Sequence, residues 1–269
     1  MLSGMPRQVA IPNGPDSDVV ARARAYGPLL RPGDRFSHTT AATLWGLPLP
    51  YPATEIHVTT LVPANRPRLR GVVGHRTLDP TISQRHAMPV STPSSLLIEL
   101  GTMLSIDDLV AVGDALILDP YLLDPHDIRP WTDRETLADA AAHSRAPGCR
   151  RARHAITLMR QGAESRPETL LRLLLVRSGL PEPEVNLDIH DAAGRFLGRA
   201  DLVYRSQRVI VEYDGDHHRT SKVQYESDIA RLERFRDAEW NVIQVRERGL
   251  FVAPAETIAR VRRALVKAS

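Results

Sequence analysis

Apolar residues recur along this chain at two spacings, and their alternation outlines the elements. Residues 1–34 are dense in Pro, Gly and charge and predict an irregular lead-in with one short helix, Asp18–Tyr26. Ser37 then stands as a cap before a helix running through Trp45, with Gly46 as its stop. Glu55–Leu61 alternates apolar and polar residues as a strand does, and Gly71–Thr77 reads as a second strand. Pro93–Leu104 and Ile106–Leu118 carry helical spacing, the second opened by Ser105 with Asp107 and Asp108 in its first turn. Residues 119–135 are loaded with Pro and Asp, and helices are expected at Arg134–His143 and Arg150–Gln161.

From Ser165 onward the order becomes regular. A helix over Glu168–Ser178 ends at Gly179 and Pro181. Strands follow at Val185–His190, Ala200–Tyr204 and Arg208–Asp214, then a helix over Lys222–Ala238, a strand Asn241–Arg246 and a closing helix Ala255–Val266. That sequence of elements predicts an α/β domain with a mixed sheet flanked by helices. The expected organisation is an irregular lead-in (1–35), a smaller α+β domain (36–118), a helical connector (119–164) and the α/β domain (165–269).

Composition narrows the setting. The 269 residues are 42% hydrophobic and 25% charged, ordinary for globular material. The richest apolar window, Leu109–Leu118, is broken by Asp114, so no membrane span is expected. The first twenty residues show no basic-then-apolar leader, and Cys149 is the one cysteine, which together predict a reducing cytoplasmic setting. Charge is uneven. Residues 1–149 hold 13 basic and 15 acidic side chains, whereas residues 150–269 hold 22 and 17. A basic half suits a polyanionic partner, and arginine, which supplies nearly all of the charge, suits phosphate oxygens. An arginine-rich composition bias explains the same count equally well.

The chemistry concentrates in the α/β domain. Arg205-Ser206-Gln207-Arg208 is short enough for a tight hairpin. If Tyr204 pairs with Val209, Asp201 comes opposite Glu212, with Cβ atoms about 4.5–5.5 Å apart. Two carboxylates so close repel, and a divalent cation between them turns repulsion into coordination. Alternation puts Asp214 on the face of Glu212, while Val209, Val211 and Tyr213 point to an apolar face. Solvated acids on a sheet face, or a hairpin shifted by one residue, are the plain alternatives. Glu168 is a fourth acid, and Ser165-Arg166-Pro167-Glu168 equally fits a capping box. His38, Trp45, His57 and His75 read as packing and capping residues, without zinc spacing.

Glu168, Arg199-Ala200-Asp201, Val211-Glu212-Tyr213-Asp214-Gly215-Asp216-His217-His218, Asp228-Ile229-Ala230-Arg231 and Trp240-Asn241-Val242-Ile243 follow one another in order. Over about Ser165–Leu250 this series resembles a bacterial family of domains of unknown function (DUF559) grouped with very-short-patch-repair endonucleases in the PD-(D/E)XK superfamily. The resemblance implies a restriction-endonuclease-like fold with Asp201 and Glu212 as ligands of Mg²⁺ or Mn²⁺. It also implies Glu168 and Asp214 as supporting acids, and His217 or His218 near the scissile phosphate. The signature's lysine, two residues after the strand glutamate, is replaced by Asp214. A basic group must then come from Lys222, His217, His218 or Arg231, or the site must rely on metal alone. Asp228 and Arg231 match a recurrent helical pair, for which a plain i,i+3 salt bridge is the favoured reading. In the first half, Phe36–Pro48 and Pro89-Val90-Ser91-Thr92-Pro93 resemble abortive-infection type IV antitoxin-like proteins, which implies a toxin or another protein as a further partner.

The expected function is metal-dependent hydrolysis of DNA phosphodiesters. Arg199, Arg205, Arg208 and Arg219 flank the acids, and with Lys222 and Arg231 they are expected to grip the DNA backbone. The competing expectations are a DNA-binding regulator or antitoxin-like protein that keeps the nuclease fold without turnover, and a protein-interaction module.

Overall fold

The computed structural model describes residues 19–125, 127–215 and 222–267, without the side chains of residues 222–225 and 227. The described residues fold as two compact units, one lying within residues 1–116 and 131–157, the other within 117–130 and 158–269. Among the described residues no helix is long and apolar enough to cross a membrane.

In the first unit, helix α1 (Val19–Tyr26) buries Val19, Ala23 and Tyr26. From residue 19 onward, therefore, the expected lead-in belongs to the domain. A five-stranded mixed sheet runs in the order β3-β2-β1-β5-β4. Its strands are β1 (Arg35–Phe36), β2 (Ile56–Leu61), β3 (Val72–Thr77), β4 (Ser83–Arg85) and β5 (Met88–Val90). Strand β2 lies antiparallel to β1 and parallel to β3, which forms one edge. Helix α2 (His38–Trp45) ends as expected at Gly46, whose φ of 72° suits a residue without Cβ. Its start differs from expectation. Ser37 occupies the cap position, but its hydroxyl lies 3.0 Å from the His38 ring and caps no helix N–H.

Helix α3 (Pro93–Leu100) stops a turn earlier than its apolar spacing suggests, because Leu104 packs from a turn beyond the helix end. Helix α4 (Ile106–Ile117) begins at the expected Ser105, whose hydroxyl accepts from the Asp108 N–H at 3.1 Å. Helices α5 (Arg134–His143) and α6 (Cys149–Leu158) were expected in a connector. Leu137 and Ala141 of α5, and Ala152, Ala155 and Ile156 of α6, are instead buried in the first unit.

The second unit is a four-stranded mixed sheet between helices. Its order is β6-β7-β8-β9: β6 (Glu184–His190), β7 (Phe196–Tyr204) and β8 (Val209–Tyr213) form an antiparallel meander, and β9 (Asn241–Val245) lies parallel to β8. Strand β7 is four residues longer than its alternation predicted, because Gly198 and the outward Phe196 obscure the pattern. Helices α7 (Arg166–Arg177) and α9 (Pro254–Lys267) supply Leu171, Leu175, Val261 and Leu265 to a core with Leu202, Val209, Val211 and Ile243. On the opposite face, helix α8 (Lys222–Asp237) sets Leu232 and Phe235 against Val203 and Ile210. The expected mixed sheet flanked by helices is thus present. Both faces are covered, and the central strands are buried on both sides, as a helix-flanked sheet requires.

Candidate metal and nucleic-acid site

The β7–β8 hairpin has the expected register, with Tyr204 opposite Val209, Val203 opposite Ile210 and Leu202 opposite Val211. One step further, where Asp201 meets Glu212, side chains replace the backbone ladder. Asp201 Oδ2 accepts from the Tyr213 N–H at 2.7 Å, and Glu212 Oε1 accepts from the Asp201 N–H at 3.4 Å. The alternation of β8 explains the depth of the pair. Ile210, on the Glu212 face, packs beneath α8, while Val209 and Val211 enter the other core. Glu212 therefore leaves the strand within the protein, only 4% exposed, where α8 ceases to cover the sheet.

The two acids open on a cavity of about 540 Å³. Glu164, Glu168, Asp201, Glu212, Asp214 and Asp228 line it, against the guanidiniums of Arg199 and Arg231. This surplus of negative charge shapes the titration. Burial pushes the Asp201 carboxyl well above the usual carboxylate range, and the charges of Glu212 and Glu168 push it further. Burial raises Glu212 too, opposed by Arg231.

Arg231 is the residue whose role the sequence concealed. It lies 3.8 Å from Asp228, the expected i,i+3 partner, but only 2.9 Å from Glu212 Oε2. It also donates to the Arg199 carbonyl at 2.6 Å. The favoured reading of a plain helical salt bridge is corrected on that ground. Its stem reaches the sheet because residue 198 is glycine. A Cβ there would lie 2.7 Å from Arg231 Cγ and 3.1 Å from the Phe235 ring.

The other expected site residues separate. Glu168 forms the capping box: Ser165 Oγ donates to its Oε1 at 2.7 Å, and its Oε2 accepts from the Glu164 N–H at 3.0 Å and from Asn186 Nδ2 at 2.9 Å. Both its oxygens are thus engaged, so in this conformation it lends charge to the cavity and not a free ligand. Asp214 lines the cavity but pairs with Arg246 at 2.8 Å. Arg199 stays in the cavity, near Glu164 and Asp188 and over the Tyr121 ring. Arg205 and Arg208 do not flank the acids. They occupy the hairpin turn, four residue positions or about 13 Å away, where Arg205 pairs with Glu184 and Arg208 lies against Trp240 and the Ala238 carbonyl. His217, His218 and Arg219 lie outside the described residues, as does the side chain of Lys222.

Two lining residues escaped the sequence reading. Gln244 lies beside Glu212 in the parallel register, and Asn186 bonds Glu168 and the Gly162 carbonyl. Each interrupts an otherwise apolar strand, Val242-Ile243-Gln244-Val245 and Val185-Asn186-Leu187, and that interruption is the signal that marks them. The donors fit a hard divalent ion in kind, since carboxylate and amide oxygens surround a cavity with excess negative charge. The fit rests on two acids, Asp201 and Glu212, and not on three.

No family model matches the chain, and no solved structure matches it. It is similar to two uncharacterized proteins of Mycobacterium tuberculosis, from strains CDC 1551 and H37Rv, at 26% identity over 136 residues in each case. The chain spans about half the length of the curated relatives it matches, and the matched segment covers half of this chain.

Proposed function

We propose that the second unit is a restriction-endonuclease-like domain that hydrolyses DNA phosphodiesters with Mg²⁺ or Mn²⁺. The observation carrying this reading is the pair Asp201 and Glu212. They sit on adjacent strands, each accepting a hydrogen bond from the other strand's backbone, and they are buried at the rim of an acidic cavity. Asp201 and Glu212 would hold the ion. Once bound, it would supply Lewis acidity to the phosphate and lower the pKa of water.

The chain's own residues do the positioning. The Tyr213 N–H fixes Asp201, and Arg231 fixes Glu212, so neither carboxylate swings freely. The capping box keeps Glu168 beside them as a source of negative field. Hydrolysis adds water across one P–O bond and leaves a phosphate monoester and a hydroxyl. Asp214, bound to Arg246, stands where the signature has lysine, so the proton must be handled by another group.

A second reading, a DNA-binding protein without turnover, draws on one specific observation. Arg231 already neutralises Glu212 at 2.9 Å, as a cation would. A nicking assay on supercoiled plasmid with Mn²⁺ separates the two. The nuclease reading expects metal-dependent nicking by the parent chain. Retarded but uncut DNA across Mg²⁺ and Mn²⁺ would favour the binder, and neither retardation nor cutting would remove both readings.

A further inference from the structure

The first unit contains a second cluster of potential ligands, built from histidine. His38 opens α2, His57 lies on β2 and His75 on the edge strand β3. One ring nitrogen from each lies within 4.8 Å of the others, and among the described residues this is the group of three His, Cys, Asp or Glu side chains that meets so closely. The parallel register sets His75 opposite Thr59, two residues beyond His57 on the same face, so the rings meet diagonally across the strands. His57 Nδ1 lies 2.9 Å from His75 Nε2. The His38 ring stacks on His75 with centroids 3.7 Å apart. His38 reaches this place with a φ of 50°, a backbone conformation that side-chain-bearing residues seldom adopt.

Packing alone explains this arrangement poorly. His38 and His57 are buried, at 7% and 5% exposure, and each neutral imidazole carries a lone pair that needs a donor. Between His57 and His75 one proton can be shared, while the His38 ring stacks on His75 and meets the Ser37 hydroxyl at 3.0 Å through Nδ1. Burial favours the neutral, ligating form of all three: His57 is lowered by burial, and the neighbouring rings add to burial in depressing His38 to about 2 and His75 to about 4. Beside them lies Glu99, whose Oε2 accepts from the His38 backbone N–H at 3.1 Å and sits 4.0 Å from the ring Nδ1, which meets the Ser37 hydroxyl instead. Glu99 thus holds His38 through its backbone, and an oxygen group behind the ring, here the Ser37 hydroxyl, is the usual means of orienting a metal-bound imidazole. The groups facing the cluster are Glu99, whose carboxyl burial pushes up to about 7 and which favours a cation once ionised, and Arg66, which faces His75 and opposes one.

We propose that His38, His57 and His75 bind a zinc-class divalent ion that ties the start of α2 to β2 and the edge strand β3, with Glu99 as the positioning residue for His38. Neutral imidazoles select borderline ions of the zinc type over Mg²⁺ or Ca²⁺. Tetrahedral coordination sets ligand nitrogens about 3.4 Å apart for Zn–N distances of about 2.0–2.1 Å. Loading therefore parts His57 from His75 by about half an ångström and turns His38 out of its stack, which the broad second torsion of histidine permits.

The test uses the full chain carrying Asp201→Asn and Glu212→Gln, so that the acidic cavity retains no ion. Stripped of metal, it is titrated with Zn²⁺ against a chromophoric chelator. The expected result is one equivalent bound, with affinity falling about 100-fold or more in His75→Ala and about 10-fold in Glu99→Gln. Zinc-edge X-ray absorption of the loaded protein is expected to show imidazole nitrogens at about 2.0–2.1 Å. That spectrum decides the matter even if His75→Ala fails to fold. An oxygen-only shell, a sulfur at about 2.3 Å from Cys149, or equal zinc uptake by folded His75→Ala would overturn the proposal.

Discussion

The acidic cavity of the second unit and the histidine cluster of the first are both buried groups of titratable side chains, and burial favours the neutral form in each, yet they differ in the field they present to a cation. The histidines shed their charge, because a neutral imidazole is accessible near neutral pH and desolvation favours it. Burial raises the Asp201 and Glu212 carboxyls too, but acids still outnumber the guanidiniums that line their cavity. One guanidinium, Arg231, faces Glu212, while Asp201 is left against the fields of Glu212 and Glu168. A cation is thus electrostatically invited into the second unit, whereas in the first it must win by coordination. The difference also assigns ion types: hard ions with oxygen donors in one place, zinc-class ions with nitrogen donors in the other.

The largest expected effect tests the acidic side of this contrast. Glu212→Ala should reduce Mn²⁺-dependent nicking by about 10³-fold, the scale of several kcal/mol of lost Lewis-acid stabilisation. Far-UV circular dichroism and DNA retardation should stay close to the parent. An unchanged nicking rate would remove the assignment. Next in size, Arg231→Gln should tighten Mn²⁺ binding about 10-fold, because the guanidinium competes with a cation for Glu212. Equal binding in calorimetry would mean that the ion pair and the ion occupy different places. A Gly198→Ala variant should act through the same residue, since the added Cβ meets Arg231 Cγ.

The hairpin register was legible because it depends on local quantities. A short turn fixes the pairing, and the apolar alternation of Val209, Val211 and Tyr213 fixes the face. Helix α5 was equally legible at Arg134–His143, and the structure adds Asp133 as its cap. What could not be read was long-range or too short. Strands β1, β4 and β5 have two or three residues, fewer than a period-two pattern needs, and only their pairing makes them strands. The Arg231–Glu212 contact joins α8 to β8 across the bulge-prone start of β7, while the sequence offers Asp228 as the nearer partner. The histidines have no spacing motif. They converge because β2 and β3 run parallel and α2 begins beside them.

Smaller effects sharpen the comparison further. A carboxyl whose folded-state pKa lies above its unfolded value binds its proton more tightly in the fold. The stability it contributes is therefore greatest at low pH and is lost as pH rises through the folded value. Asp201 is such a group, so in metal-free protein the loss of stability from acidic to neutral pH should be shallower in Asp201→Asn. Thermal unfolding at pH 5 and pH 7.5 measures this, and parallel curves for parent and variant would contradict the buried, repelled carboxylate. Ser165→Ala removes the cap of α7 and should cost about 1 kcal/mol, or about 2–4 °C, with a smaller change in Mn²⁺ affinity as Glu168 loosens. Arg205→Ala should be the mildest, leaving cavity chemistry unchanged because Arg205 stands at the far end of the hairpin paired with Glu184.

The most direct measurement is a calorimetric Mn²⁺ titration of the parent chain beside the Asp201→Asn, Glu212→Gln double variant. One Mn²⁺ site in the parent and none in the variant is the outcome required of a carboxylate pair that shares an ion. Equal Mn²⁺ binding by both chains, or none by the parent, would mean that the two acids are held by Arg231 and the Tyr213 N–H alone.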